Sequence, residues 1–146
     1  QYTHGAAWAV WACCCLGRSE EAFRLFETLN PLVHTSTRTG AVRYGVEPYA
    51  LAGDVYAPPN GGRGGWSWYT GAAAWLYKIG LEDMLGIRRQ GQELCFAPCV
   101  PFDSFEVTYA FGSATYVLRF QRGEKKGPKR IALLDDGKRH TVKVVF

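Results

Sequence analysis

"RGGWSWYTGAAAWLYKIGLEDMLGI" covers residues 63–87, and its reading decides the fold class. The first half is punctuation, with Gly64 and Gly65 followed by Trp66, Trp68 and Tyr69. The second half is helical: after Thr70-Gly71 comes an alanine-rich, apolar-periodic run, read as a helix from about 71 to 86. Thr70 falls at its N-cap position and Gly86 at its end.

Working back from this stretch, helix patterns joined by glycine-rich loops dominate. "GAAWAVWACCCLG" at 5–17 is apolar nearly all round, which fits a buried helix ended by Gly17. Ser19 is placed to cap a second helix, "EEAFRLFETLN", with Glu20 and Glu21 in the first turn, where the helix dipole favours negative charge. Ala22, Phe23, Phe26 and Leu29 give that helix an apolar face, and Asn30-Pro31 stops it. The short connection predicts an antiparallel helical hairpin. Residues 31–68 have little periodicity; "VEPYALAGDVY" reads as a short buried helix or a turn, and "APPNGGRGG" as a loop.

Working forward, the pattern changes near residue 92 to alternation. "ELCFAPCV", "SFEVTYAFG", "TYVLRFQR", "KRIALLDDG" and "HTVKVVF" are candidate strands of a small antiparallel unit of about five strands. Gly112-Ser113, the Gly123–Pro128 loop and Asp136-Gly137 are its expected hairpin turns. The fold class is mainly α, then β, with the domain division expected at 1–91 and 92–146. A β unit of that size needs the helical part or further chain to cover a face.

Composition narrows the function classes. Five tryptophans and eight tyrosines favour a carbohydrate or aromatic-ligand surface, although large cores use the same residues. Much of the net charge of +4 lies in Arg119, Arg122, Lys125, Lys126, Lys129 and Arg130. That cluster flanks Gly123, Gly127 and Pro128 without a helical basic stripe, so it reads as a solvated loop and not as a nucleic-acid surface. Cys13, Cys14 and Cys15 point in different directions on a helix, and Cys95 and Cys99 have no histidine cluster beside them. Buried, reduced thiols of a cytosolic protein are expected, with no metal site. No apolar run approaches 18 residues. The chain starts at Gln1 directly in patterned sequence, which reads as a piece of something longer.

For chemistry, Thr70-Gly71 is the sharpest local feature. A helix start offers unpaired N–H groups to an anion, Gly71 permits close approach, and the Thr70 hydroxyl adds a donor. The alternative is that Thr70 only caps its own helix. No Gly-Lys-Ser or Gly-Lys-Thr follows, so this is not a nucleotide loop. His4, in "QYTHGAAW", is read either as a structural histidine or as a donor to phosphate. Glu47 and Asp54 sit in aromatic, partly apolar surroundings, where a sugar hydroxyl or a backbone N–H is needed to hold a carboxylate. Asp83, Asp135 and Asp136 read as surface or turn residues, and no Ser-His-Asp or Cys-His set is present.

The ordered set "QYTHGAAW", "NP" at 30–31, "YGVEPYALAGDVY", "GRGGWSWYTGAAAWLY" and "LLDDGKRHTVKV" resembles the C-terminal part of glycoside hydrolase family 94 over nearly the whole chain. The long loop "DVYAPPNGGRGGWSWYTG" and the ending "LLDDGKRHTVKV" look closer to the cyclic β-1,2-glucan synthase members than to the disaccharide phosphorylases. The resemblance implies the last helices of an (α/α)6 barrel followed by a β segment, together a partial domain. It implies inverting phosphorolysis of a β-glucoside. A carboxylic acid protonates the glycosidic oxygen while phosphate attacks the anomeric carbon from the opposite face, giving α-glucose 1-phosphate. Phosphate is a co-substrate, and no cofactor is implied.

By motif the family's phosphate site falls on His4, Thr70 and Gly71, with Glu47, Asp54, Trp66, Trp68 and Tyr69 as candidates around the sugar. The general acid aspartate is expected upstream of Gln1, so the chain alone is expected to be inactive. The implied partners are a β-glucan or β-glucoside oligosaccharide and phosphate, not nucleic acid or membrane. The implied location is cytoplasmic, as the cytosolic portion of an inner-membrane protein. The alternative function is a non-catalytic carbohydrate-binding module.

Overall fold

A computed structural model describes residues 1–68, 70–124 and 127–146. The chain divides into two compact units, Gln1–Gly80 and Leu81–Phe146. This division comes earlier in the chain than the change of pattern near residue 92.

The first unit is helical. α1 spans Thr3–Cys15 and α2 spans Ser19–Leu29. α3 (Pro31–His34), α4 (Arg38–Tyr44) and α5 (Ala72–Lys78) follow. Small residues let these elements approach closely: Ala7, Ala22, Ala52 and Ala72 are fully buried, beside Val10, Tyr44 and Ile79. α1 is not buried all round. It hides Thr3, Ala7 and Val10, while Trp8 and Trp11 remain exposed.

Two caps and one helix end differ from expectation. Arg18, not Ser19, is the N-cap of α2, and Ser19 is its first helical residue. Gly71, not Thr70, is the N-cap of α5; Thr70 acts one residue earlier, its Oγ1 accepting from the Ala72 N–H at 3.0 Å. The helix expected to run to about 86 stays α-helical only to Lys78 and continues as a π-helical turn, Ile79–Met84. α3 and α4 emerge from a stretch without periodicity because their ends are capped. The Asn30 side chain accepts from Leu32 N, and that of Thr37 from Gly40 N. Gly45 closes α4 in the left-handed region. The segment after α4 is a turn and not a helix, with Tyr49 at φ 63.

The second unit carries two three-stranded sheets rather than one antiparallel unit of five strands. β1 (Ile87–Gln90), β2 (Glu93–Phe96) and β5 (Arg130–Ala132) form an antiparallel sheet in the order β1-β2-β5. β3 (Ser104–Phe111), β4 (Ala114–Gln121) and β6 (Arg139–Val145) form a mixed sheet. There β3 pairs antiparallel with β4, and β6 runs parallel to β4. Gly112-Ser113 is therefore a true hairpin turn. The loop after β4 and Asp136-Gly137 each connect different sheets; they are not hairpins. Lys125 and Lys126 lie outside the described residues. β1 was hidden in sequence by its polar run Arg88-Arg89-Gln90.

The two sheets share one core. Tyr116, Leu118 and Phe120 alternate down one face of β4, and Leu94 and Phe96 do so on β2. Phe96 meets Phe120 edge-on at 5.6 Å, and Phe105 stacks on Phe120 at 4.4 Å.

The three arginines of the basic cluster are engaged. Arg119 pairs with Glu106, Arg130 with Glu93, and Arg122 with Asp103 while donating to the Val100 carbonyl. None of the five cysteines is in a disulfide. They are not the buried thiols expected: Cys15 is exposed and the other four are half-buried; Cys13, Cys14 and Cys15 sit at consecutive helix positions, which cannot all face one core.

Candidate functional site

The first unit brings together the two ends of its sequence. The backbone at Gly53 is the hinge of that arrangement: its carbonyl accepts from the Thr3 N–H at 2.9 Å, and its N–H donates to the Trp66 carbonyl. Tyr2 and Asp54 form an antiparallel bridge, and so do Val55 and Gly64. A buried tyrosine anchors the middle of this segment. Tyr44 Oη accepts from the Ala52 N–H at 3.0 Å, and the Tyr44 carbonyl accepts from Gly64 N at 2.8 Å. Burial pushes the Tyr44 phenol up.

This scaffold sets the start of α1 beside the start of α5. A β-carbon on Gly71 would lie 3.3 Å from His4 Cε1 and 3.6 Å from Nδ1, so only glycine leaves full room for the imidazole. His4 Nε2 is buried and has no hydrogen-bond partner among the described residues. A buried polar atom left without a partner is uncommon, and it marks a place where a ligand can supply the missing bond. Thr70 is adjacent to the same hinge, its Oγ1 3.6 Å from where a Gly53 β-carbon would lie. The hydroxyl accepts the Ala72 N–H with a lone pair, which leaves its own proton to donate. The two readings of Thr70, cap and ligand donor, are therefore compatible.

The other expected residues have more varied positions. Asp54 needs no sugar to hold it: its Oδ1 accepts from the Trp66 N–H at 2.9 Å, and its carboxylate packs where a β-carbon on Gly65 would stand. Glu47 is exposed, and its carboxyl is held below the usual range by its own backbone N–H and by the Ser67 and Trp68 side chains. Trp66 and Trp68 are 58% and 81% exposed, so they do not wall the core of this unit. Tyr69 lies outside the described residues.

Sequence reasoning missed an aromatic cluster around His4. Trp8 crosses the His4 ring at 5.0 Å and 78°, and Trp75 lies at 6.0 Å. Trp8 and Trp75 meet edge-on at 5.7 Å, and Trp11 backs Trp75 at 6.0 Å. The available signal was Trp8 four residues after His4, on the same helix face.

Comparison with known proteins decides the family. Residues 1–86 match the glycosyl hydrolase 94 superfamily, catalytic domain. The chain belongs to this family.

Among its relatives is the cyclic beta-(1,2)-glucan synthase NdvB of Rhizobium meliloti (strain 1021), 42% identical over 130 residues. That alignment covers 87% of the chain and 5% of the synthase. Solabiose phosphorylase of Paenibacillus borealis is 29% identical over 98% of the chain and 21% of its own length. N,N'-diacetylchitobiose phosphorylase of Vibrio furnissii is 30% identical over 89% of the chain and 17% of its own length. The chain thus spans a small part of each of these relatives. Among the described residues, no helix is long and apolar enough to cross a membrane.

Proposed function

We propose that this glycosyl hydrolase 94 chain supplies the phosphate-facing part of an inverting β-glucoside phosphorylase site, within a larger enzyme of the cyclic β-1,2-glucan synthase kind. The observation that carries this reading is the buried, unpartnered Nε2 of His4, on an imidazole whose Cε1–Nδ1 edge lies against Gly71. In this reading residues 1–91 are the closing helices of an (α/α)6 barrel, and 92–146 are the β segment that accompanies it. The enzyme portion is cytoplasmic, on the inner face of the membrane that carries the rest of the protein.

The chemistry follows from the groups present. His4 Nε2 donates a hydrogen bond to a phosphate oxygen, and the Thr70 hydroxyl donates a second. Gly71, lacking a side chain, lets the anion reach the backbone at the start of α5. The α-helical part of α5 is only seven residues, so the bound anion relies on these donors more than on a helix dipole. Phosphate held this way attacks the anomeric carbon opposite the glycosidic oxygen, the C–O bond breaks, and a carboxylic acid protonates the departing oxygen. Inversion of a β-linkage gives an α-sugar 1-phosphate. Asp54 is a poor candidate for the acid, since Trp66 N–H already engages its carboxylate. This reading assigns the acid outside these residues. The exposed rings of Trp66 and Trp68 are offered to the sugar.

The test is to supply the enzyme carrying this chain with a β-1,2-linked glucan and inorganic phosphate and to follow α-glucose 1-phosphate. Its formation supports the reading. Glucan binding that is indifferent to phosphate, with no sugar phosphate formed, would favour a non-catalytic carbohydrate-binding module. The 146-residue chain assayed alone is expected to show no turnover; clear turnover would move the acid into this chain.

A further inference from the structure

A histidine ring turns easily about its outer torsion, and its usual restraint is a hydrogen bond on one nitrogen. His4 Nε2 has no such bond among the described residues. Rings restrain the imidazole instead. Tyr2 lies along one face at 6.1 Å and 23°, while Trp8 crosses at 78° and Trp75 is tilted at 44°. Trp8 and Trp75 also brace each other at 81°, with Trp11 behind Trp75. Edge-to-face contacts of this kind are directional, so they fix an angle as well as a position.

We infer that Trp8 and Trp75 are positioning residues for phosphate recognition: they hold the His4 imidazole with its Cε1–Nδ1 edge against Gly71 and keep the unbonded Nε2 for the anion. This rests on the phosphate reading above and extends it to two residues that need not touch phosphate. A ring held by aromatic contacts keeps both nitrogens available: a hydrogen bond to a neighbour would have committed one of them. Trp8 is half exposed, so its replacement disturbs packing less than that of a core residue.

The experiment is a double-mutant cycle in the enzyme carrying this chain, with His4→Ala, Trp8→Leu, Trp75→Leu, Trp75→Phe and the double variant His4→Ala/Trp8→Leu. KM for inorganic phosphate and KM for the glucan are measured for each. Trp8→Leu and Trp75→Leu are expected to raise the phosphate KM by about three- to tenfold, the worth of an aromatic pair, with the glucan KM unchanged. Trp75→Phe is expected to recover most of the loss. Trp8→Leu is expected to add nothing once His4 is alanine, because its effect passes through that ring. Equal losses in the two backgrounds, or folded tryptophan variants with an unchanged phosphate KM, would overturn the inference while leaving the phosphate site intact. An unchanged phosphate KM in His4→Ala would instead overturn the reading on which it rests.

Discussion

His4 and Gly71, far apart in sequence, are in van der Waals contact range: a β-carbon at Gly71 would come within 3.3 Å of His4 Cε1. That relationship makes the glycine a matter of space and not of backbone angle, since Gly71 has φ −79, which any residue adopts. Gly71→Ala is therefore expected to fold, with stability within about 1 kcal/mol of wild type, yet to bind phosphate less well because the imidazole must move. Thermal unfolding together with the phosphate KM checks both halves; an unaffected phosphate KM would show that the contact is only packing.

Tyr44→Phe tests the hinge. The variant keeps the ring that stacks on His34 at 4.8 Å but removes the oxygen that accepts from Ala52 N. A buried N–H left unsatisfied costs about 1–3 kcal/mol. Urea denaturation is expected to show a loss of that size, and no measurable loss would mean that Ala52 N finds another partner.

Tyr116→Phe makes the matching test in the second unit. Its phenol donates to the Leu134 carbonyl at 3.2 Å and accepts from Leu134 N at 2.6 Å, tying the segment after β5 to β4. A loss of about 1–3 kcal/mol is expected, read from the same denaturation curves, with the glucan and phosphate KM values unmoved.

The neighbouring aspartates predict a pH dependence. Asp135 accepts from both the Ser113 hydroxyl and the Ser113 N–H, which hold its carboxyl below the usual range. Asp136 is lowered chiefly by its hydrogen bond with His140, at 2.9 Å. A carboxyl whose folded pKa lies below its unfolded value of about 3.9 stabilises the fold above that pH, and the contribution fades as pH falls through the folded value. The unfolding midpoint is thus expected to drop as pH is taken below about 4, and Asp135→Asn is expected to flatten part of that drop. An identical pH profile in the variant would show that Ser113 contributes nothing through Asp135.

These particulars show what was legible in sequence. The order of helices and then strands was readable because the pattern changes from helical to alternating: α2 carries the 3.6 period, β3, β4 and β6 the period of 2, and α1 shows instead as a long apolar run ended by glycine. α3, α4 and β1 were not readable, being short elements set by caps and by a hairpin at Gly91 that local composition obscures. The split of the strands into two sheets and the parallel β4–β6 pair depend on long-range pairing, on which alternation is silent. At the site, motif order pointed to His4, Thr70 and Gly71. Trp8 beside His4 left a local signal in its i, i+4 spacing, whereas Trp75 and the backbone tie from Trp66 to Asp54 were invisible, because each depends on how distant segments cross.

The most direct measurement is the phosphate dependence of α-glucose 1-phosphate formation in His4→Ala beside wild type, in the enzyme carrying this chain. Losing one hydrogen bond to a charged ligand is expected to raise the phosphate KM by about ten- to a hundredfold, with the glucan KM within about twofold. A phosphate KM equal to wild type, with the variant folded, would contradict the account.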